Sequence, residues 1–157
     1  MALAYSLAVI AGMPAKLNST VAGLTEQQFR WRSTPGEWSV KEELCHLREA
    51  GQVYDGRIRR MATEEMPFLQ AWNQEVAAAH YIDEDTELIL PDYVGVRLAL
   101  VDFLREQPPT AWERKGNHEE DGEMTLEQMV TRVANHEVDH LSQLRRMRAM
   151  VLAASSK

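Results

Sequence analysis

Apolar residues recur at steps of three and four along most of this chain, and this spacing narrowly constrains its fold. A helix turns once in about 3.6 residues, so such a stripe lies on one face and must be buried. The pattern predicts an all-α protein, a four-helix bundle, in a single domain spanning residues 1–157. No strand alternation is evident. The four stripes are Leu3, Leu7, Ile10, Leu17, Val21 and Leu24; Val40, Leu44, Leu47, Gly51, Tyr54, Ile58 and Met61; Val94, Leu98, Val101 and Leu104; and Met129, Val133, His136, His140, Leu144, Met147 and Val151.

Two capping boxes predict where helices begin. Residues 39–42 read S-V-K-E and residues 125–128 read T-L-E-Q, each placing a hydroxyl three residues before a Glu or Gln. Pro14 falls on the first stripe, where it predicts either a kink or the true start of that helix. A shorter helix is expected within residues 66–80, and residues 114–124 read as a polar loop.

The composition excludes several classes of partner. With 17 basic and 24 acidic residues, the net charge is −7, which disfavours nucleic acid and anionic membrane surfaces. The apolar opening has no Lys or Arg before Lys16, so it does not resemble a signal peptide, and no run is long enough for a membrane span. The single cysteine, Cys45, cannot form an intrachain disulfide, which fits a cytoplasmic protein.

The stretch "HEVDH" at residues 136–140 places two histidines four residues apart on the last stripe. That spacing lets two imidazoles reach one metal ion, although hydrogen-bonded core histidines have the same spacing. The stretch also matches H-E-x-x-H, the signature of zinc metalloproteases. That class needs a third ligand, usually downstream, but residues 141–157 contain no His, Asp, Glu or Cys. We therefore expect no such protease, and we expect Glu137 to be a surface charge rather than a general base.

A third ligand must then lie upstream, where the remaining histidines are His46, His80 and His118. Helical placement favours His46, because a packed helix holds a ligand in position. His118 is expected to be a solvated loop side chain, and Cys45, which points about 100° away from His46, is not expected to be a ligand. On the third stripe, Arg97 either lines a pocket that binds an anionic substrate or pairs with a buried acid.

Two long segments resemble the DinB/YfiT-like superfamily. Residues 23–50, "GLTEQQFRWRSTPGEWSVKEELCHLREA", contain its W-S-x-x-E-x-x-x-H-L pattern. Residues 97–147 end in its H-x-x-x-H-L-x-Q pattern. The combination is far more specific than H-E-x-x-H, and it covers nearly the whole chain.

The resemblance implies an up-down-down-up four-helix bundle with a three-histidine metal site at His46, His136 and His140. Three imidazoles suit Zn²⁺ or Ni²⁺ and leave a position for water or substrate. We therefore expect a metal-bound water, or a metal-bound substrate thiolate, to supply the chemistry of a metal-dependent hydrolase or a low-molecular-weight-thiol-dependent transferase. The alternative is a non-catalytic, stress-related metal-binding or interaction protein. The resemblance also implies a homodimer that acts on a small molecule, with thiols among the candidates.

Overall fold

The computed structural model describes residues 2–156, and most of them lie in helices. The predicted helical bundle is confirmed. Within the described residues, no helix is both long and apolar enough to cross a membrane. The four long helices are α1 (Ala2–Val21), α3 (Val40–Thr63), α5 (Thr86–Arg105) and α6 (Leu126–Ser155), and the connections hold α2 (Glu26–Arg30), α4 (Gln74–Ala78) and 3₁₀ turns at Tyr81–Asp83 and Pro109–Glu113.

Helices α3 and α5 pack side by side and run in the same direction. In the first half of each helix, the Arg48 guanidinium lies 3.9 Å from the Asp92 carboxylate. Towards their ends, Arg59 donates a hydrogen bond of 3.3 Å to the Ala99 carbonyl. Contacts therefore advance together along both helices, which is the mark of a parallel pair.

Helices α1 and α6 also run in the same direction. Near their starts, the Ser6 hydroxyl lies 3.3 Å from the Thr131 hydroxyl. Gln28, which follows the end of α1, donates a hydrogen bond of 3.1 Å to Ser155 at the end of α6. The last helix of the chain thus lies along the first.

Helices α3 and α6 run in opposite directions. Early in α3, Glu43 accepts a hydrogen bond from Gln143 late in α6, whereas further along α3 Tyr54 contacts His136. Since α3 and α5 share one direction and α1 and α6 the other, the chain order is up, down, down, up. The α1 and α3 helices each pack against α5 and α6, and apolar side chains of all four fill the space between them.

Both predicted capping boxes are present. The Ser39 hydroxyl accepts from the Glu42 backbone N–H while the Glu42 carboxylate accepts from the Ser39 N–H, and Thr125 and Gln128 make the same pair. These bonds satisfy backbone donors that have no partner within the helix. Pro14 lies inside α1, so it does not mark that helix's start.

The prediction for Leu98 was wrong, because this side chain is 51% exposed. The inward face of α5 instead carries Tyr93, Arg97, Val101 and Leu104. Leu98 follows Arg97 directly and so lies about 100° around the helix from it. Because Arg97 is charged, the apolar pattern placed its neighbour Leu98 on the buried face of the helix instead.

The expectation of no strands was also wrong. Three strands, β1 (Phe68–Leu69), β2 (Lys115–His118) and β3 (Gly122–Thr125), form a small sheet in which β2 pairs parallel to β1 and antiparallel to β3. The predicted polar loop at 114–124 is therefore mostly a hairpin. Its turn ends at Gly122, whose φ of 73° suits glycine. Strands this short are held by their neighbours and leave little periodicity in the sequence.

Within the sheet, Gly116 and His118 face inward while Lys115 and Asn117 are exposed. A Cβ atom added at Gly116 would lie 3.0 Å from the Met61 side chain, so the strand approaches α3 as closely as a glycine permits. The sheet therefore packs directly against the last part of α3.

The connection from α3 to α5 occupies residues 64–85 and is only partly helical. The helix expected within residues 66–80 is limited to Gln74–Ala78, and residues 68–69 form strand β1 instead. Because α3 and α5 are parallel, this connection must travel back along the bundle. On its way it brings Trp72 against His46.

Candidate metal centre

His46, His136 and His140 meet where α3 packs against α6. His46 comes from the first part of α3, and the other two lie one turn apart on α6. The capping boxes fix where both helices start, and the apolar stripes fix which faces meet. The three histidines that the sequence analysis singled out are thus brought together by packing of the bundle.

The ring nitrogens of these histidines lie close to one another. His46 Nε2 is 3.1 Å from His136 Nε2, and the ring centroids of His136 and His140 are 4.2 Å apart. One nitrogen from each ring lies within 4.8 Å of the other two. Nitrogen ligands around a tetrahedral ion lie about 3.3 Å apart at usual bond lengths. Small ring rotations would bring all three onto one ion.

Burial keeps two of the imidazoles neutral. It lowers the pKa of His46 to about 4, and the neighbouring His140 adds to the effect. The same causes, with a further contribution from His46, lower the pKa of His136 to about 3. A metal-binding nitrogen must be unprotonated. At neutral pH both rings therefore have a lone pair available.

A buried carboxylate orients the third imidazole. The His140 Nδ1 lies 2.6 Å from Oε1 of Glu43, whose side chain is fully buried. The other oxygen of Glu43 accepts a hydrogen bond of 3.1 Å from Gln143. This arrangement places a proton on Nδ1 of His140 and leaves Nε2 free to bind a metal. Sequence reasoning missed Glu43, although it lies three residues before His46 and so on a similar side of α3.

Aromatic rings surround the histidines. Trp72 stacks on His46 at a centroid distance of 5.5 Å, and Trp38 packs on it at 5.3 Å. Tyr54 meets the His136 ring edge-on at 5.5 Å. Trp38 and Trp72 thus both contact the His46 ring. Their position beside the cluster restricts water there and raises the strength of polar contacts.

The prediction that Glu137 is a surface charge was wrong. Its side chain is 1% exposed, and its Oε1 lies 2.6 Å from Nη2 of Arg97 and accepts a hydrogen bond of 2.7 Å from the Tyr93 hydroxyl. Glu137 lies one turn from both Val133 and Leu141 on the buried face of α6, a spacing that could have revealed its burial.

Of the two alternatives for Arg97, the structure shows the second: Arg97 pairs with a buried acid, Glu137. The Arg97 side chain is 2% exposed, so it is not available as an open anchor for a substrate anion. The carboxylate of Glu137 is held by Arg97 and Tyr93 rather than presented to the cluster as a free base. A charge that is buried in this way destabilises the folded protein unless its partner is present.

His118 is also buried, contrary to the expectation of a solvated loop side chain. It is 4% exposed because β2 turns it inward, and its Nδ1 lies 2.9 Å from Asp121. Burial and the nearby Arg57 lower its pKa. It does not belong to the three-histidine cluster.

Cys45, as expected, is not part of the cluster. It is fully buried, and burial raises the pKa of its thiol to about 12. Its thiol is therefore protonated at neutral pH and is a poor nucleophile. Among residues 2–156, no fourth His, Cys, Asp or Glu joins His46, His136 and His140.

The fold and the site together define a class: a four-helix bundle with three convergent imidazoles on facing helices, a donor set that fits a divalent metal ion. The sequence model of the DinB superfamily matches residues 10–144 of this chain, and the chain belongs to that superfamily. The resemblance identified from the sequence is confirmed.

Similar proteins agree with this assignment. An Oceanobacillus iheyensis protein provisionally named a metal-dependent hydrolase is 25% identical over 136 residues, which span 86% of this chain and 79% of that protein. The fold matches that of YfiT from Bacillus subtilis, described as a probable metal-dependent hydrolase with an unusual four-helix bundle topology. The TM-score is 0.85 at 19% identity, covering 94% of this chain and 86% of YfiT.

A second solved structure shares the fold more distantly. The mycothiol-dependent maleylpyruvate isomerase has a TM-score of 0.68 at 14% identity, covering 87% of this chain and 60% of that one. The bundle described above is thus the part of that longer enzyme that this chain resembles.

Proposed function

We propose that His46, His136 and His140 bind one divalent transition-metal ion, with Zn²⁺ or Ni²⁺ as the best match. The observation that carries this proposal is the convergence of three ring nitrogens within 4.8 Å. Neutral imidazoles are ligands that suit such borderline ions. The bond from His140 to Glu43 adds support, because metal-binding histidines usually donate their second ring N–H to a carboxylate or carbonyl.

We further propose that this centre is catalytic. Three protein ligands with a fourth position left for water or substrate are typical of catalytic zinc sites, whereas structural sites have four. A bound ion of this kind acts as a Lewis acid and lowers the pKa of a bound water or thiol. The chain's own part is to hold the ligands. Glu43 fixes the tautomer of His140, and Trp72 and Tyr54 pack on the other two rings.

The reaction that we propose is either hydrolysis or transfer to a low-molecular-weight thiol. The provisional name of the Oceanobacillus iheyensis relative supports hydrolysis, and the mycothiol-dependent isomerase with the same fold supports thiol chemistry. In both reactions the nucleophile is a small molecule, water or the thiol, rather than a side chain of the protein. Cys45 is buried and protonated, so it does not compete for that role. The net charge of −7 favours a small molecule over nucleic acid as substrate.

Metal analysis tests the first step. Protein purified without chelator is expected to contain about one Zn²⁺- or Ni²⁺-class ion per chain. His46→Ala is expected to lose that ion, because it removes the only ligand from α3. His80→Ala is the matched control, since His80 is exposed and lies outside the cluster. Full metal content in His46→Ala would contradict the proposed ligand set.

Activity assays test the second step. The metal-loaded protein is compared with the chelated protein and with His46→Ala on ester and amide substrates, and on thiol transfer with a low-molecular-weight thiol. Turnover that requires the metal supports the enzyme. A metal-binding protein with no turnover in either assay, and with a fourth protein ligand on the ion in a metal-bound structure, would instead be the non-catalytic alternative.

A further inference from the structure

A small cavity of about 160 Å³ is separated from the histidine cluster by two aromatic rings. Tyr54 and Trp72 line it, and each of these rings also contacts one cluster histidine, His136 and His46 respectively. At about 30 Å³ per water molecule, the cavity holds about five water-sized groups. That is less than a whole ligand needs, so the cavity suits one polar end of a molecule whose other end lies at the cluster.

Arg57 lines this cavity without a carboxylate partner. Its side chain is half-buried, and its Nη2 donates a hydrogen bond of 2.5 Å to the Gln70 carbonyl. In the part of the chain that the structure describes, no Asp or Glu oxygen forms an ion pair with it. A guanidinium that is partly desolvated and unpaired gains most from an anion in the cavity.

The acidic residues of the cavity do not fill that role. Asp121 is bound on one oxygen by both Arg132, at 2.6 Å, and His118, at 2.9 Å. Glu120 is exposed, and within the described residues it too forms no ion pair with Arg57. Arg57 is therefore the cation in this cavity whose charge remains to be matched.

His118 offers a second contact. Its Nδ1 accepts a hydrogen bond of 3.3 Å from the Glu120 backbone N–H. In the neutral ring the proton then lies on Nε2. This Nε2–H donor is buried with no hydrogen-bond partner in the structure. A buried donor of this kind lacks an acceptor that a ligand can supply.

We propose that this cavity binds the carboxylate end of a small molecule, with Arg57 pairing with the carboxylate and the His118 Nε2–H donating to it. Only the description of that molecule as a substrate rests on the proposed function. The anionic end lies beside Tyr54 and Trp72, whose rings contact His136 and His46.

The test is binding of N-acetylglycine, which carries the carboxylate, followed by NMR of the ¹⁵N-labelled protein, including the Arg57 side-chain signal. N-acetylglycinamide, which lacks the charge, is the matched probe. We expect saturable shifts at Arg57 and its neighbours at about millimolar N-acetylglycine, and none with the neutral amide. Both metal-free and Zn²⁺-loaded protein are titrated, because the ion itself attracts carboxylates.

Variants assign the effect to named residues. Arg57→Gln is expected to weaken binding about tenfold or more, and His118→Gln about threefold, from the usual strengths of charged and neutral hydrogen bonds. Arg60→Gln is the matched control: it lies one turn further along α3 and also donates to a backbone carbonyl, that of Phe68, but it is exposed and paired with Glu64. Arg57→Lys should recover part of the affinity.

The outcomes separate this inference from the proposed function. Binding that depends on Arg57 in a protein that takes up no metal would support the subsite and contradict the metalloenzyme. Normal metal binding with equal N-acetylglycine affinity in wild type and Arg57→Gln would overturn the subsite alone. The absence of any shift at the cavity in either form of the wild type would also overturn it.

Discussion

Replacing Glu43 by Gln tests how much the second contact of His140 contributes to metal binding. The carboxylate is fully buried, lies 2.6 Å from His140 Nδ1 and accepts from Gln143 at 3.1 Å. Glutamine keeps the shape and one acceptor oxygen but removes the charge. Loss of such a partner usually costs about 10- to 100-fold in metal affinity, which corresponds to about 1.4–2.7 kcal/mol.

The alanine variant at the same position has a different expected effect. Glu43→Ala leaves His140 Nδ1 and the Gln143 amide, both partly buried, without this partner, at up to about 1–3 kcal/mol each. Its loss should therefore appear in the stability of the metal-free protein as well as in metal affinity. Glu43→Gln should show the affinity loss with a much smaller change in stability.

The assay is competition for Zn²⁺ against a chromophoric chelator, with urea unfolding of the metal-free proteins in parallel. Glu42→Gln is the matched control: Glu42 is the neighbouring buried carboxylate, but its partners are Ser39 and Arg32, and glutamine preserves a capping box. If Glu43→Gln and Glu42→Gln both bind Zn²⁺ within about twofold of wild type, Glu43 does not tune the site and the reasoning fails.

Three further predictions concern stability, pH and assembly. Arg97→Met and Glu137→Leu should each lower the free energy of unfolding by about 3–5 kcal/mol, whereas the double variant should lose less, because a lone buried charge is the costly state; additive losses in urea unfolding would contradict this. Since burial holds the folded-state pKa of His46 near 4 and of His136 near 3, against an ordinary value of 6.5, the unfolded chain takes up protons first as the pH falls. The metal-free protein should therefore lose up to about 1.4 kcal/mol per pH unit for each histidine below that value, and equal urea midpoints at pH 7 and pH 5 would refute it. We also predict a homodimer, which Phe68, 52% exposed, could help to form; light scattering should give twice the chain mass of 17.9 kDa, and the single mass would count against it.

Local signals were sufficient for much of the fold. The hydroxyl and carboxamide or carboxylate of each capping box lie three residues apart, so the starts of α3 and α6 could be predicted from a few letters. The positions of His136 and His140 on a helical stripe followed from spacing, and the choice of His46 followed from its place on a helix and from the superfamily pattern. In each case the signal that allowed the prediction lies within one short stretch of sequence.

The residues that were misplaced depend on partners far along the chain. Glu137 follows the buried spacing of α6, but Arg97, the partner that makes burial of its charge possible, lies forty residues earlier in the chain. His118 is buried because β2 lies between β1 and β3, each of which is too short to be recognised alone. Glu43 gains its role only when α6 places His140 against it.

The parallel course of α3 and α5 gives the loop between them a second role beside the site. A helix of 24 residues is about 36 Å long, so residues 64–85 must retrace that length alongside the bundle, where Leu69 and Tyr81 pack into its core. In doing so they deliver Trp72 and the Gln70 carbonyl to the rim of the site, while the three histidines stay on helices that the loop does not build. Exchange of this loop between relatives, with Leu69 and Tyr81 kept, would therefore alter the surroundings of the three histidines and leave the histidines in place.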